Sequence, residues 1–238
     1  MFILSKKKVY ITLVVLLVLT MAFQMKNVLK SEEQTIATVA LPVNNKVIVL
    51  DAGHGGEDGG ASTTDGITEA DINLKITLKV QNLLEQAGAT VILTRSDENG
   101  IYDLDKTTLR QKKVSDIKNR VKIGNESSAD VFVSIHLNKI PQEQYWGWQT
   151  FFKNGNEDSK KLAQSLQQGL NETIQKENKR ESLKIDNVYI IKNVQIPTAI
   201  VECGFLSNQE EKGQLQTDEY QNKLAWGIYV GIMDYFIE

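Results

Sequence analysis

The stretch V-I-V-L-D-A-G-H-G-G at residues 47–56 decides the fold, because an apolar run leads there directly into a glycine-rich turn. Four consecutive apolar residues are typical of a strand that is covered on both faces. Such strands form parallel sheets flanked by helices, and ligands of these sheets bind beyond the carboxyl ends of the strands. Asp51 and His54 lie at that end, which is where we expect the chemistry.

Outward from this strand, short apolar runs and longer amphipathic segments alternate along the chain. We predict further strands at 90–94, 131–135, 146–152, 188–191 and 198–201, and helices at 69–87, 109–127, 158–175 and 220–236. Strands that alternate with helices predict an α/β fold, with a mostly parallel mixed sheet covered by helices on both faces.

The bulk composition excludes some classes of function. A chain of 238 residues can bury one sizeable core, and a net charge of -3 gives no basic field for binding nucleic acid. The single cysteine, Cys203, excludes an intrachain disulfide and a cysteine-rich zinc finger. We interpret Cys203 as a small buried residue rather than a reactive thiol, because no activating partner is evident.

The N-terminus has the pattern of an export sequence. Lys6, Lys7 and Lys8 precede an apolar run that ends at Phe23. We therefore predict that residues 1–25 are a signal peptide or a membrane anchor, either of which places the rest of the chain outside the cytoplasm. Residues 26–45 are polar and without periodicity, which predicts a linker, and residues 46–238 form the predicted globular domain.

The only two histidines of the chain each follow a predicted strand. His54 follows the first strand, His136 ends V-F-V-S-I-H at 131–136, and Glu202 ends T-A-I-V-E at 198–202. Glu69 begins the first predicted helix. A single histidine at a strand end is more often structural, but two histidines, a glutamate and a water form a known catalytic zinc set. A further carboxylate, for which Glu202 is suited, can then transfer the proton.

Other polar and aromatic residues have less specific interpretations. Asp51 is interpreted as fixing the loop rather than binding a metal. Arg95 and Arg120 either bind substrate carboxylates or form structural ion pairs. Trp146 and Trp148 are predicted to face one side of a strand, where they stack on a sugar or pack in the core. A phosphate-binding role for the glycine-rich loop is disfavoured, because the loop lacks G-K-[ST].

Four motifs together resemble those of the zinc-dependent N-acetylmuramoyl-L-alanine amidases of the amidase-3 type. They are L-D-A-G-H-G-G-E-D-G-G-A at 50–61, G-I-T-E-A-D-I-N-L at 66–74, S-I-H-L-N at 134–138 and V-E-C-G-F-L-S-N at 201–208. L-T-R at 93–95 and the predicted helical segment 120–125 complete the set. The resemblance extends over residues 46–236. Each motif alone is weak, and the set is highly specific. Ala52 stands where many members have proline, a change that does not involve a proposed ligand.

The resemblance implies a function for each candidate residue. It implies a Zn²⁺ ion bound by His54, Glu69 and His136, with Glu202 as the catalytic glutamate, in a fold similar to that of the zinc exopeptidases. The implied reaction is hydrolysis of the amide between N-acetylmuramic acid and L-alanine in peptidoglycan. Within the family, the chain is most similar to the spore-cortex amidases, which implies removal of stem peptides for muramic-δ-lactam formation and germination.

Three alternatives remain open from the sequence. The chain could be another extracytoplasmic zinc peptidase or deacetylase, or a non-catalytic wall-binding module that keeps the fold without the chemistry. It could also need an accessory protein to order its metal site. The sequence does not indicate the oligomeric state.

Overall fold

The chain divides into two compact units, Met1–Ala40 and Leu41–Glu238. The computed structural model describes the backbone of residues 6–35 and 41–237, and the side chains of residues 7–26 and 41–237.

The N-terminal unit contains one long helix, α1 (Lys6–Thr35). Its 20-residue window Lys7–Lys26 has a mean hydropathy of 1.9 and is exposed, so by length and composition it could cross a membrane. A signal sequence near an N-terminus satisfies the same test. The helix continues to Thr35, so part of the segment predicted as a linker, 26–45, is helical. Residues 1–5 of the predicted export sequence lie outside the described residues.

The second unit contains six strands and six helices within the described residues. The strands are β1 (Val47–Ala52), β2 (Thr90–Leu93), β3 (Val131–Asn138), β4 (Gln149–Phe152), β5 (Leu183–Lys184) and β6 (Thr198–Phe205). The helices are α2 (Glu69–Gln86), α3 (Leu109–Glu126), α4 (Glu157–Ile174), α5 (Tyr189–Asn193), α6 (Gln209–Leu215) and α7 (Asp218–Tyr235).

The six strands form one mixed sheet in the order β2-β1-β3-β6-β4-β5. Neighbours are parallel except for β4 and β6, which are antiparallel. The carboxyl ends of β1, β3 and β6 therefore lie side by side, and β4 begins beside the end of β6. The predicted mostly parallel mixed sheet is confirmed.

Helices cover both faces of this sheet, as predicted. Along β3, Val133 and Ile135 belong to the larger core beneath α2, α4 and α7. Phe132 points to the other face and packs with Val49 and with Val121 of α3 in a smaller core. Because successive side chains of a strand point to opposite faces, Ser134 and His136 lie on the same face as Phe132.

Side-chain caps determine where the helices that border the site begin. The Thr68 hydroxyl accepts a hydrogen bond from the amide of Asp71, so α2 begins at Glu69. Thr108 and Gln111 form a reciprocal capping box at the start of α3. Such caps satisfy amides that have no partner within the helix. The cap on α2 fixes Glu69 in the first turn, shortly after the glycine-rich loop.

The strand predicted at 188–191 is wrong, because Tyr189–Asn193 form the short helix α5. Ile190 and Ile191 are buried there, and a short apolar run does not distinguish a buried strand from a buried helix. The strand predicted at 146–152 begins only at Gln149, since Gly147 has a φ of 94° that breaks the extended backbone. The elements β5 and α6 were not predicted.

Three glycines allow α4 and α7 to pack closely against each other. A Cβ on Gly231 would lie 2.5 Å from Leu166 Cα, and one on Gly169 would lie 2.5 Å from the carbonyl oxygen of Gly227. Both distances are far below van der Waals contact. The larger core therefore depends on backbone-to-backbone contact between these two helices.

We expect Gly231→Ala to lower the free energy of unfolding by about 1–3 kcal/mol, because the added methyl overpacks the contact. Gly213→Ala in α6 is the matched control, since a Cβ there would meet no atom within 4 Å. The gain in helix propensity should make that variant neutral or up to ~1 kcal/mol more stable. Urea denaturation measures both variants. Equal stability of the two would contradict close packing of α4 on α7.

Candidate metal centre and active site

The structure brings His54, Glu69 and His136 together beyond the ends of β1 and β3. Their potential ligand atoms all lie within 4.8 Å of one another. Nε2 of His54 is 3.4 Å from one Glu69 oxygen, and Nδ1 of His136 is 3.0 Å from the other. These spacings match those of donors that share one ion through bonds of about 2 Å. The donor set of two imidazoles and a carboxylate fits zinc.

Two glycines make room for this cluster. A Cβ on Gly53 would lie 2.3 Å from the His136 ring, and one on Gly60 would lie 2.6 Å from both His54 and Glu69. Gly60 also has a φ of 68°, a backbone conformation that residues with a side chain rarely adopt. The motif needs glycine at these positions because side chains would displace the proposed ligands.

His54 itself has a left-handed backbone with a φ of 64°. A non-glycine residue in this region is strained and persists only where its surroundings hold it. Arg120 donates 2.6 Å hydrogen bonds to the carbonyl oxygens of Ala52 and His54. Arg95 donates to the carbonyl oxygens of Ala52 and Gly53. The two buried arginines therefore hold the loop. The predicted structural ion pair is confirmed for Arg120, which pairs with Asp51 and Asp116, whereas Arg95 is structural through carbonyl oxygens and has no ion pair among the described side chains.

Asp51 is fully buried and has the loop-fixing role that was predicted. It accepts hydrogen bonds from Thr94 and Ser134, and it forms a 2.6 Å ion pair with Arg120. Burial opposes ionisation of Asp51, but Arg120 and the hydroxyl of Ser134 outweigh it and hold the pKa of this carboxyl below its ordinary value. The anion ties β1 to β2, β3 and α3.

Glu69 is held in place by donors from several elements. Its Oε2 accepts a 2.8 Å hydrogen bond from the amide of Ala61, and its Oε1 accepts from the amide of Leu137 at 3.0 Å and from Asn73 at 3.3 Å. Burial opposes ionisation, but the hydrogen bonds with His136 and His54 outweigh it and hold the pKa of Glu69 far below its ordinary range. The carboxylate is thus an anion oriented before any ligand binds.

Asp58 was not identified in the sequence, although it contacts a proposed ligand directly. Its carboxylate lies 2.9 Å from Nδ1 of His54, the ring nitrogen that faces away from Glu69. Burial disfavours the imidazolium, but the hydrogen bonds with Asp58 and Glu69 outweigh it and raise the pKa of His54 to about 9. A carboxylate on the second nitrogen is how metal-binding histidines are commonly oriented. The available signal was an acidic residue four positions after His54, within the same loop.

Glu202 lies beside this cluster on the neighbouring strand. In the parallel register of β3 and β6 it is the direct partner of His136, so both side chains lie on the same face of the sheet. Its Oε2 is buried and has no hydrogen-bond partner among the described residues. Burial raises the pKa of Glu202 to about 7, the two histidines oppose that effect, and the Glu69 carboxylate adds to it.

A cavity of about 250 Å³ opens beside the histidines. Gly53, His54 and His136 line one side of it, and Lys113 and Ile190 contribute to the rest. Lys113 also forms a 2.8 Å ion pair with Asp58. Helices α3 and α5 therefore supply part of the wall around the candidate metal centre.

Trp148 and Cys203 belong to the core rather than to the site. Trp148 is fully buried, and its Nε1 donates a 2.8 Å hydrogen bond to Asn171, so stacking of Trp148 on a sugar is wrong. Trp146 is half-buried with Lys176 Nζ 4.0 Å from its ring centroid. Cys203 is fully buried, and burial raises the pKa of its thiol, which confirms its interpretation as an inert residue.

Comparison with known proteins identifies a family. The family model Amidase_3, N-acetylmuramoyl-L-alanine amidase, matches residues 48–234. A germination-specific N-acetylmuramoyl-L-alanine amidase from Bacillus subtilis is 37% identical over 199 residues, which are 84% of this chain and 83% of the relative.

Solved structures show the same similarity. The CwlD amidase from Clostridioides difficile, in complex with the GerS lipoprotein, is 47% identical with a TM-score of 0.78, over 80% of this chain and 98% of that one. An N-acetylmuramoyl-L-alanine amidase from Clostridium difficile 630 is 32% identical with a TM-score of 0.70, over 81% and 97% of the two chains.

We expect Asp58→Asn to weaken metal binding about 10- to 100-fold, because the carboxylate orients His54. Competition with a chromogenic chelator measures the affinity. Asp65→Asn is the matched control, since this loop carboxylate forms its ion pair with Lys212 and not with a histidine. Equal affinity of the two variants would show that Asp58 does not support the metal centre.

Proposed function

The chain belongs to the N-acetylmuramoyl-L-alanine amidase family, and we propose that it hydrolyses the amide between N-acetylmuramic acid and L-alanine with a zinc ion bound by His54, Glu69 and His136. As a member of the family it is a peptidoglycan hydrolase. The observation that carries the zinc proposal is the convergence of two imidazoles and one preorganised carboxylate from three separate elements.

The donor set leaves a position open for chemistry. Three protein ligands of this kind are typical of catalytic zinc, whereas structural zinc has four. A bound zinc ion would supply a Lewis acid for the amide carbonyl and would lower the pKa of the attacking water. Lys113 and the glycine-rich loop bound the space beside the histidines where the amide would lie.

We assign the proton transfers to Glu202. Its buried Oε2 has no partner among the described side chains, so it is available to accept a proton from the attacking water. The same oxygen then gives that proton to the nitrogen of L-alanine as the amide bond breaks. Direct pairing with His136 across the sheet places the carboxyl beside the proposed ligands.

We further propose that the substrate is spore-cortex peptidoglycan. Support comes from the relative named as a germination-specific amidase and from the 47% identity to CwlD. Removal of the stem peptide would leave peptide-free muramic acid, which the muramic-δ-lactam requires. The related amidase forms a complex with the GerS lipoprotein, and we propose an accessory lipoprotein of that kind as a partner.

The proposed site of action is outside the cytoplasm, where peptidoglycan lies. Helix α1 provides either an export signal or a membrane attachment. The N-terminal sequence of the protein recovered from cells distinguishes between these: a mature chain that lacks the apolar run was cleaved, and an intact one is anchored.

We expect the zinc-loaded protein to release peptides with a new L-alanine amino terminus from purified cortex peptidoglycan. Mass spectrometry should detect these peptides together with peptide-free muramic acid. Chelation should abolish release, and added zinc should restore it. Peptides cleaved at another bond, or loss of acetyl groups, would replace the amidase proposal with a peptidase or a deacetylase.

Two variants distinguish the residues that bind the metal from the residue that transfers the proton. Glu202→Gln should retain one zinc ion per chain and lose about 10²–10⁴-fold in rate, because only the acid–base group is removed. His136→Gln should lose zinc as well, because it removes a ligand. Full activity of Glu202→Gln, or stoichiometric zinc in His136→Gln, would contradict the respective assignment.

In spores that lack this chain, we expect a cortex without muramic-δ-lactam and a block in germination. Muropeptide analysis measures the lactam, and expression of the wild-type chain should restore it. Glu202→Gln, expressed at the same level, should not. Normal lactam in the deletion strain would show that the chain acts on other peptidoglycan.

A further inference from the structure

A second polar cleft lies near the start of β4 and contains Arg180. The guanidinium lies 4.9 Å from the ring centroid of Phe205 and 5.7 Å from that of Tyr145. Its Nε donates to the carbonyl oxygen of Trp146 at 3.4 Å, and its Nη1 donates to Oε1 of Gln149 at 3.3 Å. The aromatic rings and these two acceptors fix the orientation of the cation.

Arg180 has no carboxylate partner within 4.0 Å among residues 7–26 and 41–237, whose side chains are described. Its neighbours differ in this respect, because Lys176 pairs with Glu210 at 3.7 Å and Lys179 pairs with Glu177 at 3.2 Å. Its Nη2 also makes no hydrogen bond within those residues. An oriented guanidinium with unused donors is suited to binding an anion.

The sheet register places Gln149, which accepts a hydrogen bond from this cation, next to Glu202. Gln149 is the direct partner of Glu202 in the antiparallel pairing of β4 and β6. Directly paired residues lie on the same face with Cβ atoms about 5 Å apart. Trp148 and Thr150, on either side of Gln149, point into the larger core and toward α4 instead. Arg180 therefore contacts the direct sheet partner of the proposed catalytic glutamate, on the face of the sheet that carries His136.

The cleft is large enough for more than solvent. Its volume is about 410 Å³, and its walls include Tyr145, Trp146 and Arg180, together with Glu177 and Lys179, whose charges pair with each other. Ligand sites commonly start at about 300 Å³. An aromatic wall with one oriented cation suits a short peptide that carries a carboxylate.

The covalent structure of a muramoyl peptide determines which part of this substrate carries a free carboxylate. In an intact muramoyl peptide the lactyl carboxyl is consumed in the scissile amide, and the N-acetylated sugars are neutral. The carboxylates therefore belong to the peptide on the L-alanine side of the bond.

We propose that Arg180 binds a carboxylate of the stem peptide beyond L-alanine, and so makes the cleft a subsite for acidic peptides. The proposal rests on the amidase function proposed above. Gln149 acts as a positioning residue, because it accepts a hydrogen bond from the guanidinium and is itself the direct sheet partner of Glu202.

The test uses the zinc-loaded full chain and two synthetic muramoyl peptides. One has a free carboxylate on the residue after L-alanine, and in the other that group is a carboxamide. For the acid, Arg180→Gln should raise KM about 10- to 100-fold, the range for loss of a charged hydrogen bond, with little change in kcat or zinc content. For the carboxamide, the wild type and the variant should have equal KM.

Lys176→Gln is the matched control, because Lys176 also stacks on an aromatic ring but already pairs with Glu210. It should leave KM for both substrates unchanged. Arg180→Lys keeps the charge without the planar fork and should give an intermediate KM. If thermal unfolding shows that Arg180→Gln does not fold, the KM values of Arg180→Lys for the two substrates are compared with those of the wild type instead.

Calorimetric binding of the product peptide, with its carboxylate free, provides a second measurement without turnover. Arg180→Gln should weaken that binding by the same factor. An equal rise in KM for acid and carboxamide, or no rise for either, would overturn the subsite. Failure of the wild type to cleave both substrates would contradict the amidase proposal instead.

Discussion

The buried ion pair between Asp51 and Arg120 links the sheet to the loop that carries the chemistry. Asp51 lies near the end of β1, beneath the loop, and also accepts hydrogen bonds from Thr94, directly after β2, and from Ser134 of β3. Arg120 crosses from α3 and reaches the carbonyl oxygens of Ala52 and His54. A buried pair adds little net stability, because both charges lose their hydration. Removal of one partner, however, leaves the other uncompensated at a cost of about 3–5 kcal/mol. The main contribution of the Asp51–Arg120 ion pair is therefore to specify one conformation of the loop.

That constraint explains how His54 can occupy a strained backbone conformation. With the carbonyl oxygens of residues 52–54 held by two arginines, the left-handed φ of His54 is imposed by its surroundings. Asp58 and Glu69 then contact the two nitrogens of its ring from opposite sides. The ring needs no reorganisation to present Nε2 to a metal ion. Preorganisation of this kind improves both affinity and catalysis, because the ordering is complete before binding.

The topology of the sheet arranges the functions in sequence along one edge. The order β1, β3, β6 and β4 places the proposed ligands first, Glu202 next and Gln149 with Arg180 last. A muramoyl peptide lying along this edge would present its amide to the metal centre and its peptide to Arg180. The antiparallel pairing of β4 with β6 makes this possible, because β4 begins where β6 ends. A parallel strand at that place would direct its carboxyl end, rather than its first residue, to the site.

Several features could be predicted from the sequence alone. The alternation of elements predicted the α/β class, and polar residues after apolar strands indicated His54, His136 and Glu202. These signals are local, since they depend on the periodicity of a segment and on the residue that follows it. The same kind of signal failed at 188–191, where a short β-branched run became the helix α5 because its packing, not its propensity, decided its conformation.

Contacts between residues distant in the sequence were decided only by the tertiary structure. Arg95 and Arg120 had two equal interpretations until the fold buried them against loop carbonyl oxygens. Trp148 was assigned to the core by its burial and its hydrogen bond to Asn171, and Arg180 is linked to Glu202 only through Gln149 and the register of β4 on β6. The sequence by itself determined the class of fold and which residue types could bind a metal. Their distances, burial and charge partners depended on the three-dimensional packing, because hydrogen bonds and desolvation act between neighbours in space.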